Sequence, residues 1–563
     1  MKEERWYILA LFSIFFAALA LRLILPLEFN VWGPDTGENY YITHYFAVSG
    51  AMPSPYYGFG RTYTEFPAVY VLVALIARLT GISTAAAVEL SMPFITSLLV
   101  FPMAGIAVSL TGRKQVGLMA SIFYATSVVV IGHTSIIASD TMGEVILVFF
   151  IYFYLASGRD RLTIALAMAT ALAMIPTYHL GTVILLLFLF SALFYYSLFR
   201  RSNSAELLKA LAFILVITTL TWAYWMTMAP NFLSTFVLKN TGLGIEEAVS
   251  APYILTFLIF IAGSFVQRRG RASGGSGQGR DGMPLAYPVA AFAASAAAVG
   301  YIAYFGYPSV PLYPGPVILF NIPTVAVTLL AFTAVIPSMR DGRKFHSIGI
   351  TLFLLASLIG LGVVTNIPYL VPERLVEYLL LFAATFAGIA MLSFLDLLPR
   401  SRRTAAALAL CLVLILAAGL STALVGATTT PSKIGGTPAA DLSAAQWLHI
   451  STPGASTVAS DHRLSSIVFG FAQRNATWEM GSYPIYTAAN ASSMENQLNL
   501  TFTPSGYKTV NYLLMDTYMI QAGNFYPNQT AIPVSPAVLA AVRGGNFVNV
   551  YSNGFATVYA YTR

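Results

Sequence analysis

Three short segments carry side chains that could do acid–base or anion-binding chemistry. The first is Gly33-Pro34-Asp35-Thr36-Gly37-Glu38-Asn39-Tyr40-Tyr41. Gly and Pro favour a turn, and the turn presents a carboxylate. A positioned carboxylate can take a proton from a weak hydroxyl or amide nucleophile. The bland reading is a turn capped by Asp35. The second is Ser139-Asp140-Thr141-Met142-Gly143-Glu144. Asp140 and Glu144 stand four apart, so they share a helix face. Thr141 and Glu144 also fit a capping box. The third is Pro372-Glu373-Arg374-Leu375-Val376-Glu377. A guanidinium at a helix start needs an anion, either a neighbouring glutamate or a ligand phosphate. His179, in Pro176-Thr177-Tyr178-His179, could assist a ligand, and Glu65 is a further candidate. His133 and His44 read more simply as packed histidines. Tyr56, Tyr57, Tyr63 and Tyr70 suit a membrane-interface belt as well as a sugar platform.

The elements that must position these residues follow from composition. Of 563 residues, 57% are apolar and 9% are charged. Soluble domains carry about 25% charged residues. Mean hydropathy is +0.71. Lipid must therefore solvate most of the chain, and disorder is excluded. One cysteine, Cys411, allows no intrachain disulfide and no cysteine metal site. No feature points to nucleic acid.

Apolar runs long enough to span occur at 6–27, 85–110, 116–136, 141–156, 162–176, 181–198 and 207–228. Further runs lie at 253–266, 285–305, 316–337, 348–365, 375–398 and 404–425. A shorter run, 66–79, decides the topology. If it lies on the outer face without spanning, thirteen helices place 19 Lys and Arg in the loops of one side and only Arg61, Arg78, Lys239 and Arg374 in the inter-helix loops of the other. That asymmetry predicts a cytoplasmic N-terminus and an outer C-terminus. The run 6–27 reads as a retained first helix. An interfacial helix is expected over 38–48, and 271–282 is a Gly/Ser-rich cytoplasmic linker.

The expected organisation is a transmembrane domain at 1–426, with a first outer loop at 28–84, and an extracytoplasmic domain at 427–563. In the latter, 457–460, 466–469, 512–515, 547–551 and 556–561 read as strands, and a helix starts near Asp441. The sequons at Asn475, Asn490, Asn499 and Asn528 all fall there. On this topology Asp35, Glu65, Asp140, Glu144, His179 and Arg374 all face outward. Ionisable groups at membrane-embedded helix ends are functional candidates. The fold class is a polytopic α-helical membrane protein with about 13 transmembrane helices and a small C-terminal α/β domain.

An acid after helix one, an acidic pair between helices three and four, and a soluble C-terminal domain together resemble the GT-C superfamily of membrane glycosyltransferases. That superfamily includes oligosaccharyltransferases, protein mannosyltransferases and lipid A aminoarabinose transferases. The sequons and Ala/Val-rich helices suit an archaeal surface enzyme. The resemblance implies a polyprenyl- or dolichyl-phosphate-linked sugar donor. It implies inverting transfer to a glycan, lipid or protein acceptor at the outer face of the plasma membrane. It implies Asp35 as general base or metal ligand, with Asp140 and Glu144 completing an acidic site for a divalent cation (Mg or Mn). Arg374 would hold the donor phosphate, with His179 and Glu65 beside the substrate. Two departures weigh against oligosaccharide transfer to protein. Oligosaccharyltransferases carry Trp-Trp-Asp-Tyr-Gly, where this chain has Trp478-Glu479-Met480-Gly481-Ser482, and the loop 306–315 is short. A rival reading, a polytopic transporter, would place its charges near the midplane and show inverted repeats.

Overall fold

A computed structural model describes residues 2–156, 160–199, 204–239, 244–272, 327–335, 337–339, 345–365, 372–428, 436–524, 532–544 and 546–562. The expected span 285–305, most of 316–337, the loop 306–315 and the Asn528 sequon lie outside these residues.

The first eleven helices are α1 (Lys2–Phe29), α2 (Thr36–Ser49), α3 (Ala68–Thr80), α4 (Thr84–Ser97), α5 (Val100–Thr111), α6 (Lys114–Thr126), α7 (Val128–Thr134), α8 (Ser139–Ala156), α9 (Arg161–Met174), α10 (His179–Phe199) and α11 (Ser204–Thr227). Longer helices follow at Ile245–Ala272, Phe345–Thr365, Pro372–Asp396 and Arg400–Thr428. Among the described residues, seven helices are long and apolar enough to cross a membrane, or eight with one bent pair. The fold is that of a polytopic membrane protein.

Two expected spans are not straight. The run 85–110 forms α4 and α5, joined through Leu98 and Leu99. The run 116–136 forms α6 and α7, bent by 64° at Ser127, whose backbone is extended. The short run 66–79 contains the amphipathic helix α3, which buries Val69, Tyr70, Val73 and Ala77 against α2 and α4. Pro372–Asp396 is the central helix. Its Tyr378, Phe382 and Phe386 are fully buried in the main apolar cluster.

The C-terminal domain holds a second core. Its five-stranded sheet runs in the order β2-β1-β5-β7-β6. The strands are β1 (Thr457–Ala459), β2 (Asn475–Ala476), β5 (Tyr512–Asp516), β6 (Phe547–Ser552) and β7 (Ala556–Tyr561). β1 pairs in parallel with β2 and β5, and β7 lies antiparallel between β5 and β6. A separate hairpin joins β3 (Thr501–Thr503) to β4 (Gly506–Lys508). β5 is central, and its Leu513–Asp516 stretch is buried without alternation, as a strand covered on both faces requires. The expected strand at 466–469 is helical instead. The helix His462–Ile467 passes into a π turn, Val468–Ala472. A short apolar run cannot distinguish strand from buried helix. Here Asp461 decides it, since its carboxylate caps the helix by accepting from the Leu464 N–H at 2.9 Å.

The two parts meet through backbone. Thr437 N–H donates to the Val31 carbonyl at 2.9 Å. Gly37 of α2 and Gly470 of the π turn touch so closely that a Cβ on Gly37 would overlap the Ser466 carbonyl, and one on Gly470 the Gly37 carbonyl. Tyr40 stacks flat on Phe471, with 4.2 Å between ring centroids.

Candidate active site

Asp35 sits at the N-terminus of α2, but its side chain caps nothing. The turn is held by backbone instead: Thr36 N–H donates to the Gly33 carbonyl at 3.3 Å, and Asn39 N–H to that of Asp35 at 2.9 Å. Gly33 has φ +105°, and a Cβ there would overlap Ile136, so the turn needs glycine twice over. The carboxylate is therefore free for other partners. Oδ2 accepts from the Tyr63 hydroxyl at 2.8 Å, and Oδ1 meets His462 Nε2 at 2.7 Å. Burial pushes Asp35 up, but the hydrogen bond and charge of His462, the Tyr63 hydrogen bond and the Arg374 charge together hold it below the usual carboxylate range.

Asp35 lines a cleft of about 240 Å³ with Asp140, Arg374, His179, His133 and Tyr178 among its walls. Asp140 lies in the first turn of α8, where Oδ1 accepts from Thr141 N–H at 2.9 Å. Arg374 Nη1 donates to the Tyr178 hydroxyl at 3.0 Å. Among the described residues no carboxylate lies within ion-pair distance of Arg374. Glu377, the expected protein partner, instead faces His133 Nε2 at 2.9 Å. His179, the first residue of α10, packs against Phe66 and Phe232 at the cleft wall.

The structure thus brings together Asp35, Asp140, Arg374 and His179. It places Glu144 and Glu65 elsewhere. Glu144 is buried within the bundle, near the Tyr124 hydroxyl and the Arg22 guanidinium. It makes no capping box: Thr141 Oγ1 donates to the His133 carbonyl at 3.1 Å. Glu65 accepts from Asn231 Nδ2 at 2.7 Å and from Phe232 N–H at 2.9 Å, capping the turn that starts at Pro230. Its substrate role finds no support in this placement.

Glu38, next to Asp35, is fully buried. It accepts from the Gly60 N–H at 2.9 Å and from the Tyr56 hydroxyl. Burial, reinforced by the Asp35 charge, lifts it to about 8.

Two residues of the site lie in the C-terminal domain and escaped sequence reasoning. His462 is fully buried, with Nε2 on Asp35 and Nδ1 on Glu479. Burial pulls the imidazole down, but the two carboxylates outweigh it and lift it to about 10. Trp478, before Glu479, has φ +52°, a region disfavoured for a bulky side chain. The available signal was Asp461-His462-Arg463, three ionisable residues in succession within an apolar stretch.

The expected divalent cation finds a poor donor set. Hard cations take about six oxygen ligands. Among the described residues no three His, Cys, Asp or Glu side chains are grouped to hold a metal. Asp35 offers only the lone pairs left beside His462 and Tyr63, and Glu144, an expected second ligand, is buried away from the cleft.

No protein-family model matches the chain, and no curated protein matches it by sequence. Solved structures do. An oligosaccharyltransferase from Archaeoglobus fulgidus, tethered to an acceptor peptide containing the NVT sequon, aligns with a TM-score of 0.61 at 14% identity, covering 99% of this chain and 74% of that one. The archaeal oligosaccharyltransferase AglB from Archaeoglobus fulgidus, in complex with an inhibitory peptide and a dolichol-phosphate, gives 0.56 at 14% identity over 100% and 75%. ArnT from Cupriavidus metallidurans in the apo state gives 0.48 at 12% identity over 100% and 99%. The fold is the one these two archaeal oligosaccharyltransferase structures share. At these identities the likeness is one of fold, and the chemistry must be argued from the cleft.

Proposed function

We propose that this chain is an integral-membrane glycosyltransferase that moves a sugar from a polyprenyl- or dolichyl-phosphate donor to an acceptor at the outer face of the plasma membrane. The observation that carries this reading is Arg374. Its guanidinium faces a cleft shared with Asp35 and Asp140, and a tyrosine hydroxyl is its protein partner there. A partly desolvated guanidinium with no carboxylate in ion-pair range among the described residues suits a phosphate, which it can bind through paired N–H donors.

The chemistry balances. The acceptor O–H or N–H attacks the anomeric carbon, whose bond to the phosphate oxygen breaks. The electron pair leaves on that oxygen, where Arg374 stabilises it. The proton passes to Asp35. Each carboxylate oxygen has two lone pairs, so Asp35 retains acceptor capacity beyond His462 and Tyr63. A single displacement inverts the anomeric centre. Asp140 supplies a second acceptor at the cleft, and His179 shapes the wall behind it. No step needs Glu144 or Glu65.

Transfer of one sugar is the first reading, given the Trp478-Glu479 departure from the oligosaccharyltransferase motif. A protein acceptor is the second, favoured by the fold likeness to the sequon-tethered enzyme. The purified chain should transfer radiolabel from a polyprenyl-phosphate sugar and not from a nucleotide sugar. Transfer from the nucleotide sugar alone would overturn the donor assignment. Offering sequon peptides and glycolipids side by side separates the acceptor classes.

A further inference from the structure

His462 comes from a helix 427 residues beyond Asp35, yet the two share a 2.7 Å contact. Its other ring nitrogen meets Glu479. Both ring nitrogens therefore face carboxylate oxygens within ion-pair distance, an arrangement that favours the charged imidazolium.

Everything around this ring fixes its place. Phe59 meets it edge-on at 4.8 Å and Trp478 lies 5.5 Å away, so the ring has no room to swing. Asp461 caps the helix that His462 begins. The next residue, Arg463, is fully buried between Asp441, at 2.7 Å, and Asp516. That anchors the helix in the core of the C-terminal domain. The Gly37–Gly470 contact then sets the separation between this helix and α2. A surface ion pair would show none of these restraints.

We propose, on the basis of the glycosyltransferase reading above, that His462, braced by Glu479, is the positioning residue for Asp35 and stands where a divalent cation would otherwise neutralise that carboxylate. The cation at this site belongs to the chain. Asp35 keeps one oxygen on His462 and the other on Tyr63, and its remaining lone pairs serve the acceptor. Transfer then requires the C-terminal domain to be docked, and it does not require a bound Mg or Mn ion.

The test uses the full chain in lipid nanodiscs with a radiolabelled polyprenyl-phosphate sugar. Wild-type protein treated with EDTA should keep its turnover within about twofold, and titration with Mn²⁺, followed by electron paramagnetic resonance, should show no stoichiometric tight site. His462→Ala should lower kcat about 100-fold, the scale of a misplaced reacting group, while donor KM moves less than about threefold. Added imidazole should restore part of the lost kcat. Glu479→Gln, which keeps the shape of the side chain, should lower kcat in the same direction by a smaller factor. Loss of wild-type turnover in EDTA with recovery on Mn²⁺, or one tight Mn²⁺ site, would overturn the proposal. So would a His462→Ala defect confined to donor KM, or one that imidazole leaves untouched in a protein whose Glu479→Gln variant is fully active. Absence of any transfer by wild type would instead count against the glycosyltransferase reading, and Mn²⁺ binding would still decide the cation question.

Discussion

Docking of the C-terminal domain on α2 is tested most sharply at Gly37. An alanine there places a Cβ against the Ser466 carbonyl and 2.9 Å from the Ile467 amide nitrogen. Both are backbone atoms of a helix anchored by Arg463, so no side-chain rotation relieves the overlap. Carbon contacts are comfortable at about 3.5–4.0 Å, so the elements must separate by roughly 1 Å. Such overpacking costs about 1–3 kcal/mol, with rigid backbone favouring the upper end. The 2.7 Å contact between His462 and Asp35 would then stretch beyond hydrogen-bonding range. At about 1.4 kcal/mol per factor of ten, the equilibrium constant for the competent docked arrangement falls roughly 5- to 150-fold. Limited proteolysis of the C-terminal domain and initial rates of sugar transfer should both report the loss. Gly132→Ala is the control: it lies in α7, and its added Cβ meets nothing within 4 Å. Wild-type rates and protease resistance in Gly37→Ala would refute the reasoning that this backbone contact assembles the site.

Arg374→Ala removes a charge-assisted contact worth about 1.5–3 kcal/mol, so donor affinity should weaken roughly 10- to 150-fold, measurable as donor KM or by competition with free polyprenyl phosphate. Arg463→Met leaves Asp441 and Asp516 facing each other in the core; breaking such a buried network costs about 3–5 kcal/mol and should lower the melting temperature of the C-terminal domain. Glu38, raised to about 8, contributes stability that is fully present below its ordinary value near 4.5 and is lost as pH rises through 8. Glu38→Gln keeps an acceptor for Tyr56 and Gly60 and cannot ionise. Thermal melts at pH 5 and pH 8 should therefore show a smaller pH penalty in the variant than in wild type.

Much of this architecture is legible from residue type and spacing. The Gly33-Pro34-Asp35 turn forms as expected, and a helix, Thr36–Ser49, covers the expected 38–48, because Gly and Pro act locally. Strands 457–460, 512–515, 547–551 and 556–561 are close to β1, β5, β6 and β7, since their patterning is strong. Depth was less legible. Asp140 and Glu144 share a face, but four residues along α8 is about 6 Å of rise. That distance separates the cleft from the interior of the bundle, where Glu144 lies buried near Arg22 and Tyr124. Arg374 needed an anion, yet sequence could not show that Glu377 would face His133. His133 stands on α7, beyond the 64° bend at Ser127, which sequence patterning does not reveal. The Asp461-His462-Arg463 run marked His462 as unusual, but its partner was not legible, for a plainer reason. A contact 427 residues apart leaves no local pattern, and the short run after it reads equally well as strand or helix.

The central claim is that Asp35 serves sugar transfer from a lipid-phosphate donor in a cleft shared with Asp140 and Arg374. The direct measurement compares wild type and Asp35→Asn, reconstituted in nanodiscs, for release of radiolabelled sugar from a polyprenyl-phosphate donor in the presence of acceptor. The variant keeps the shape of the side chain and its place beside Tyr63, so folding should survive. Wild type should turn over, and the variant should fall at least about 100-fold in kcat, the lower bound for a lost general base. Equal turnover by a folded Asp35→Asn protein would contradict the account.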